Sequence, residues 1–140
     1  MRVTLAGRYQ KIHSHPLVVV DVAHNVQAAF ALRDLITQEA VSGKIYAVFG
    51  MMKDKNIREI MELMCPVFAE WFLAPLGESR GATVEQLLHA APGVLAQCHK
   101  SVPEAYLAAL AVATPFDMIV VWGSFVTVAQ VLVLTKDSRA

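Results

Sequence analysis

A chain of 140 residues is long enough for one proper core, the size of a single ordinary domain. Twelve basic residues balance twelve acidic ones with no basic block, which excludes the clustered positive surface that a nucleic-acid partner needs. A hydrophobic fraction of 56% and a mean hydropathy of +0.47 are high for a small domain, and point to an oligomer or a neighbouring domain over part of the surface.

In chain order, residues 1–12 read as a connecting segment or first strand. Arg2, Arg8, Lys11 and two histidines break any secretory centre across residues 1–20. Leu17–Val20 form an apolar strand that ends on the polar cluster DVAHN (21–25). Val26, Ala29, Phe30, Leu32, Leu35 and Ile36 then recur at three- and four-residue spacing, which predicts a helix over 25–41 with Asn25 as its N-cap. KIYAVFG (44–50) is a short strand between Gly43 and Gly50, and a helix follows over 56–65, starting near Asn56. VFAEWFLA (67–74) is a strand stopped by Pro75. The helix over 83–91 opens with Thr83 and Gln86 at the spacing of a capping box. A short strand over 93–99 and a helix over 102–113 come next, then the strand 117–122.

Residues 118–134 are apolar over nearly the length that crosses a bilayer. They carry Gly123, Ser124, Thr127 and Gln130, however, and Asp117 and Lys136 flank them, so no membrane span is expected. Over 124–134 the valines favour a strand. Phe125, Val128, Ala129, Leu132 and Val133 nonetheless fall at helical spacing behind Ser124, and a helix is expected. Strand–helix alternation throughout predicts an α/β domain of Rossmann-like type, a mostly parallel sheet with helices on both faces.

In such sheets ligands gather at the carboxyl ends of the strands. Four polar clusters fall there: DVAHN, GMMKDKN (50–56), APLGESRGAT (74–83) and GSFVT (123–127). One shared site explains that better than scattered decoration. Lys53, Lys55 and Arg80 could hold carboxylates or phosphates, helix N-termini add donors that favour anions, and Asp21 could accept ribose hydroxyls. Plainer roles stay open at this point: a turn residue at Asp21, a packed ring at His24, and a solvated loop at 53–55. His13 and His15 share a strand face but lack a third metal ligand, and Cys65 and Cys98 have neither metal nor disulfide spacing, so a reduced cytoplasmic setting is expected. GxxxxGK[ST], GxGxxG and GxSxG are all absent, so a bound nucleotide would need its phosphates cradled from outside this chain.

GRYQ (7–10), DVAHN, FGMMKDKN (49–56), LAPLGESRGAT (73–83) and GSFVTVA (123–129), in that order, resemble the carboxy-terminal domain of the dihydrofolate synthase/folylpolyglutamate synthase branch of the Mur-ligase superfamily. The resemblance implies an ATP-dependent amide ligase that adds L-glutamate to dihydropteroate or a folate through an acyl phosphate. It also implies an amino-terminal phosphate-loop domain, absent from these residues, that holds ATP and most ligands of Mg2+. Carried over by motif, Arg8 and Asp21 would contact ATP from this side. His24 would lie near the nucleotide, as the candidate for a catalytic role, and Asn25 beside it would mainly cap the helix. Ser124, with Lys55 and Arg80, would border the glutamate pocket.

Three positions depart from the pattern: Val26 replaces a proline, Val126 a histidine, and the loop reads GESRGAT rather than GPRGAT. Only Val126 touches the acceptor side. A cell-wall Mur-type ligase domain and a stand-alone binding domain are the rival readings.

Overall fold

The computed structural model describes residues 7–137. Six strands form one sheet: β1 (Gln10–Ser14), β2 (Leu17–Asp21), β3 (Ile45–Phe49), β4 (Glu70–Leu73), β5 (Ala96–Cys98) and β6 (Met118–Trp122). Five helices alternate with them: α1 (Val26–Thr37), α2 (Ile57–Met64), α3 (Val84–Ala90), α4 (Val102–Val112) and α5 (Phe125–Asp137). The strand order is β1-β2-β6-β3-β4-β5, and every pair is parallel except the β1–β2 hairpin.

Two cores flank the sheet. Val19, Ala47, Phe49, Trp71, Leu73, Val120 and Trp122 pack against α1, α2 and α3 on one face. Val18, Val20, Tyr46, Val48, Phe72, Ile119 and Val121 pack against α4 and α5 on the other. Central strands covered on both sides must be apolar throughout, and all five residues of β6 are buried. Much of the high hydrophobic fraction is thereby used inside the domain.

The helix starts follow their caps. Asn25 Oδ1 accepts the Ala28 N–H at 2.8 Å, and Thr83 and Gln86 close the reciprocal capping box at 3.1 and 2.9 Å. Asn56 caps α2 without a side-chain bond to the helix backbone; its amide donates to Glu59 instead.

Several expectations need correction. The first strand lies at Gln10–Ser14 rather than within 1–12, and residues 1–6 lie outside the described part. His15 falls in the turn, before the cis bond to Pro16, so it shares no strand face with His13. Helix α1 stops at Thr37, four residues early, and Phe30 is 53% exposed, because Ala29, Leu32 and Ile36 already make its buried stripe. The strand expected over 67–74 begins only at Glu70; Val67 turns back instead, its N–H bonded to the Met64 carbonyl. Helix α5 forms as expected with its buried stripe rotated: Val128 is buried as the spacing predicts, Thr127 and Val131 are buried beside it, and Phe125 and Val133 are exposed. A helix apolar on nearly every side leaves the choice of face to its polar anchors. The stretch 118–134 divides between β6 and α5, and no helix among the described residues is long and apolar enough to cross a membrane.

Candidate nucleotide-facing site

The sheet register brings the four polar clusters to one edge. Asp21 is the register partner of Trp122, Trp122 of Phe49, and Phe49 of Leu73, so the ends of β2, β6, β3 and β4 lie side by side in that order. From this edge the chain leaves β2 for α1 on one face, and β6 for α5 on the other. Neighbouring strands whose connections diverge open a crevice between them. Here the crevice runs along β6, with Asp21 and His24 on one lip and the first turn of α5 on the other. His24 lies tilted against Phe125, ring centroids 5.9 Å apart.

Asp21 is the best-held group there. Its Oδ1 accepts the Ala23 N–H at 2.8 Å and its Oδ2 accepts the Tyr9 N–H at 3.0 Å. Burial raises its pKa above the ordinary carboxylate value, while the Ala23 and Tyr9 amides and the Arg8 charge pull the other way. Arg8 itself is exposed, at the head of a tight turn. Gly7 (φ +78°) and Tyr9 (φ +42°) both take left-handed backbone in that turn, and Val22 N–H donates to the Gly7 carbonyl at 2.7 Å. A Cβ at Gly7 would come within 2.9 Å of the Val22 side chain. The turn is thus pressed directly onto the end of β2.

His24 Nδ1 lies 2.9 Å from the Val22 carbonyl, which can only accept, so Nδ1 carries the proton. That leaves Nε2 as an acceptor when the ring is neutral and as a second donor when it is charged. Asn25 spends its side-chain oxygen on the helix cap.

Ser124 is built in more deeply than a pocket wall. It is 4% exposed, and its hydroxyl accepts the Thr127 N–H at 3.0 Å and pairs with the Thr127 hydroxyl at 2.8 Å. Thr127 in turn donates to the Gly50 carbonyl at 2.9 Å, tying the start of α5 to the end of β3. Gly123 completes the lock: its φ of +118° suits glycine, and a Cβ there would meet the Gly50 carbonyl oxygen at 2.2 Å.

Lys55 and Arg80 lie further along the edge. Their loops are stitched by a Met52–Gly81 bridge and by the Lys53 N–H donating to the Arg80 carbonyl at 2.8 Å. These loops follow β3 and β4, which lie two and three strands along the sheet from β2. The exposed Arg80 guanidinium lies 3.9 Å from Glu78. Among the described residues no group of three or more His, Cys, Asp or Glu comes together as a metal site.

Tyr9, Thr127, Gly50 and Gly123 escaped a reading by motif. Only the left-handed turns and the cross-strand hydroxyl bond reveal them; the one signal in the sequence was their place inside GRYQ, FGM and GSFVT.

Residues 7–125 match the family described as "Mur ligase, glutamate ligase domain". A dihydrofolate synthase/folylpolyglutamate synthase of Buchnera aphidicola is 42% identical over 132 residues, covering 94% of this chain and 32% of that protein. The structure of E. coli FolC in complex with DHPP and ADP superposes with a TM-score of 0.92 at 38% identity, covering 97% of this chain and 32% of that one. A bifunctional folylpolyglutamate synthase/dihydrofolate synthase with Mn, AMPPNP and L-glutamate bound gives a TM-score of 0.89 at 36% identity, covering 95% and 32%. The chain spans about a third of the length of the curated relatives it matches. With the match over residues 7–125, and with a sheet whose polar clusters converge on one edge, the chain belongs to the glutamate ligase domain family of the Mur ligases.

Proposed function

We propose that this chain is the glutamate-ligase domain of an ATP-dependent dihydrofolate synthase/folylpolyglutamate synthase, working with an amino-terminal phosphate-loop domain. The observation that carries the reading is the Asp21 carboxylate. Two backbone amides hold it at the β2–β6 crevice beside Arg8, on a fold shared with a FolC structure that holds ADP. Each carboxylate oxygen keeps a further lone pair, so Asp21 can accept hydroxyl hydrogens from a ribose without letting go of the chain. Arg8 offers a fork of donors to the polyphosphate side. His24 adds Nε2 at the same lip.

ATP, when bound, supplies the phosphoryl group that activates the acceptor carboxylate toward the amine of L-glutamate. This chain's share is binding and orientation, which such transfers depend on heavily. Lys55 and Arg80, further along the edge, provide positive charge for the carboxylates of glutamate. Ser124 serves that side through the shape of the first turn of α5, since its hydroxyl is committed to Thr127. Dihydropteroate or a folate would be the acceptor. Mg2+, when bound, would neutralise charge on the phosphates of ATP, its protein ligands lying mainly in the other domain.

Asp21→Asn in the intact two-domain ligase tests the reading. Alanine would release both backbone amides, whereas asparagine still accepts one of them. A charged hydrogen bond lost from the nucleotide is worth about 1.5–3 kcal/mol, so the ATP KM should rise about tenfold or more while the glutamate KM stays within about twofold. An unchanged ATP KM would remove Asp21 from the nucleotide site.

A further inference from the structure

The turn that presents Arg8 is fastened more heavily than its length requires. Tyr9 sits at φ +42°, a conformation that side-chain-bearing residues rarely adopt. Its main chain is tied to Asp21 Oδ2 at 3.0 Å. Its hydroxyl donates to Glu39 Oε2 at 2.6 Å, with the Leu35 carbonyl at 3.3 Å also in reach. Glu39 stands just beyond the carboxyl end of α1, where negative charge opposes the helix dipole. Lys11, 3.4 Å away, relieves only part of that cost. A phenylalanine would pack under the turn as well as a tyrosine, and no carboxylate would then be wanted at that end of the helix. Burial and Glu39 raise the phenol pKa far above its ordinary value, so the hydroxyl remains a donor.

We propose that Tyr9 is a positioning residue: its hydroxyl, latched to Glu39 at the end of α1, holds the left-handed turn that sets Arg8 and the Asp21 carboxylate toward the nucleotide. The proposal rests on the reading that Arg8 and Asp21 meet the nucleotide. Neither Tyr9 nor Glu39 touches substrate; they act through the turn, and α1 becomes the rigid body against which it is held.

The test compares Tyr9→Phe, Glu39→Ala and Glu39→Gln in the intact ligase, with Arg8→Ala alongside. Misplacing a contact group from a distance can cost as much as removing it, so Tyr9→Phe and Glu39→Ala should each raise the ATP KM about tenfold. Turnover at saturating ATP and the glutamate KM should stay within about twofold. Combining the two should be no worse than either alone, because they break one latch. Glu39→Gln keeps an oxygen acceptor and should recover most of the loss. If Tyr9→Phe lowers the thermal midpoint but leaves the ATP KM in place, while Arg8→Ala raises it, Tyr9 is packing only and the nucleotide reading stands. If Arg8→Ala and Asp21→Asn also leave the ATP KM in place, that reading falls and the positioning role falls with it.

Discussion

Two aspartates at opposite ends of neighbouring strands show how one residue type serves two purposes. At Asp21 burial outweighs the Ala23 and Tyr9 amides and the Arg8 charge, and the pKa rises. Its ionised form therefore costs folding stability at neutral pH, a cost that disappears as the pH falls below the ordinary value of 3.8. At Asp117 burial pushes the same way, but the amides of Thr114 and Lys44, the Thr114 hydroxyl and the Lys44 charge together outweigh it, and the pKa falls. Its Oδ1 accepts the Lys44 N–H at 2.8 Å and its Oδ2 the Thr114 N–H at 2.7 Å, with the residue only 6% exposed. Asp117→Ala should destabilise the fold by about 2–4 kcal/mol, since two amides lose their acceptor. The stabilising charge is present above pH 3.8 and lost as the pH falls through the depressed folded value. The gap between wild type and variant in urea unfolding should therefore be wide at pH 7 and narrow below pH 3.8. A gap of constant width would mean that the carboxylate charge contributes nothing.

At the scale of elements, polar anchors decide what hydrophobic periodicity leaves open. Helix α5 has Val, Leu, Ala or Phe on nearly every side, so spacing alone puts Phe125 and Val133 in the core stripe; both are exposed. Thr127 is wholly buried instead, because its hydroxyl bridges Ser124 and the Gly50 carbonyl. Thr127→Val keeps the volume and removes that bridge, leaving a buried carbonyl and a buried hydroxyl short of a partner. We expect a loss of about 1–3 kcal/mol, and Thr127→Ser should restore most of it. Thermal unfolding of the pair decides the matter: equal midpoints for the valine and serine variants would mean that packing, not the hydroxyl, sets the rotation of α5. Helix α1 shows the converse. Its stripe of Ala29, Leu32 and Ile36 was legible, but its end at Thr37 was not, nor was the bond from Tyr9 to Glu39 just beyond it.

For the whole molecule, the sheet carries a buried core on each face. The apolar surface that remains includes Phe30 on α1, and Phe125 opposite His24 at the start of α5. The isolated chain is expected to unfold in a single cooperative transition and to release no phosphate in response to ATP and L-glutamate. Glutamate-dependent phosphate release from the purified 140 residues would show that the chain holds a complete site by itself, and the two-domain reading would fail.

Strand and helix order, the parallel sheet, the caps at Asn25 and Thr83, and the gathering of polar clusters at the carboxyl edge were all determined by the sequence. Those features arise from local periodicity, side-chain capping and the general handedness of strand–helix units. Motifs carried the ligase family for the same reason, since each is a short contiguous run. The tertiary structure alone decided that β6 inserts between β2 and β3, so that Asp21 lies level with Trp122 and beside the start of α5. It alone decided that the Ser124 hydroxyl turns inward, that α5 buries Thr127, and that Tyr9 reaches Glu39 across 30 residues. Apart from the Ser124–Thr127 pair, three residues apart, each of these joins residues far apart in the chain, and no window of neighbouring residues contains the partner that fixes it.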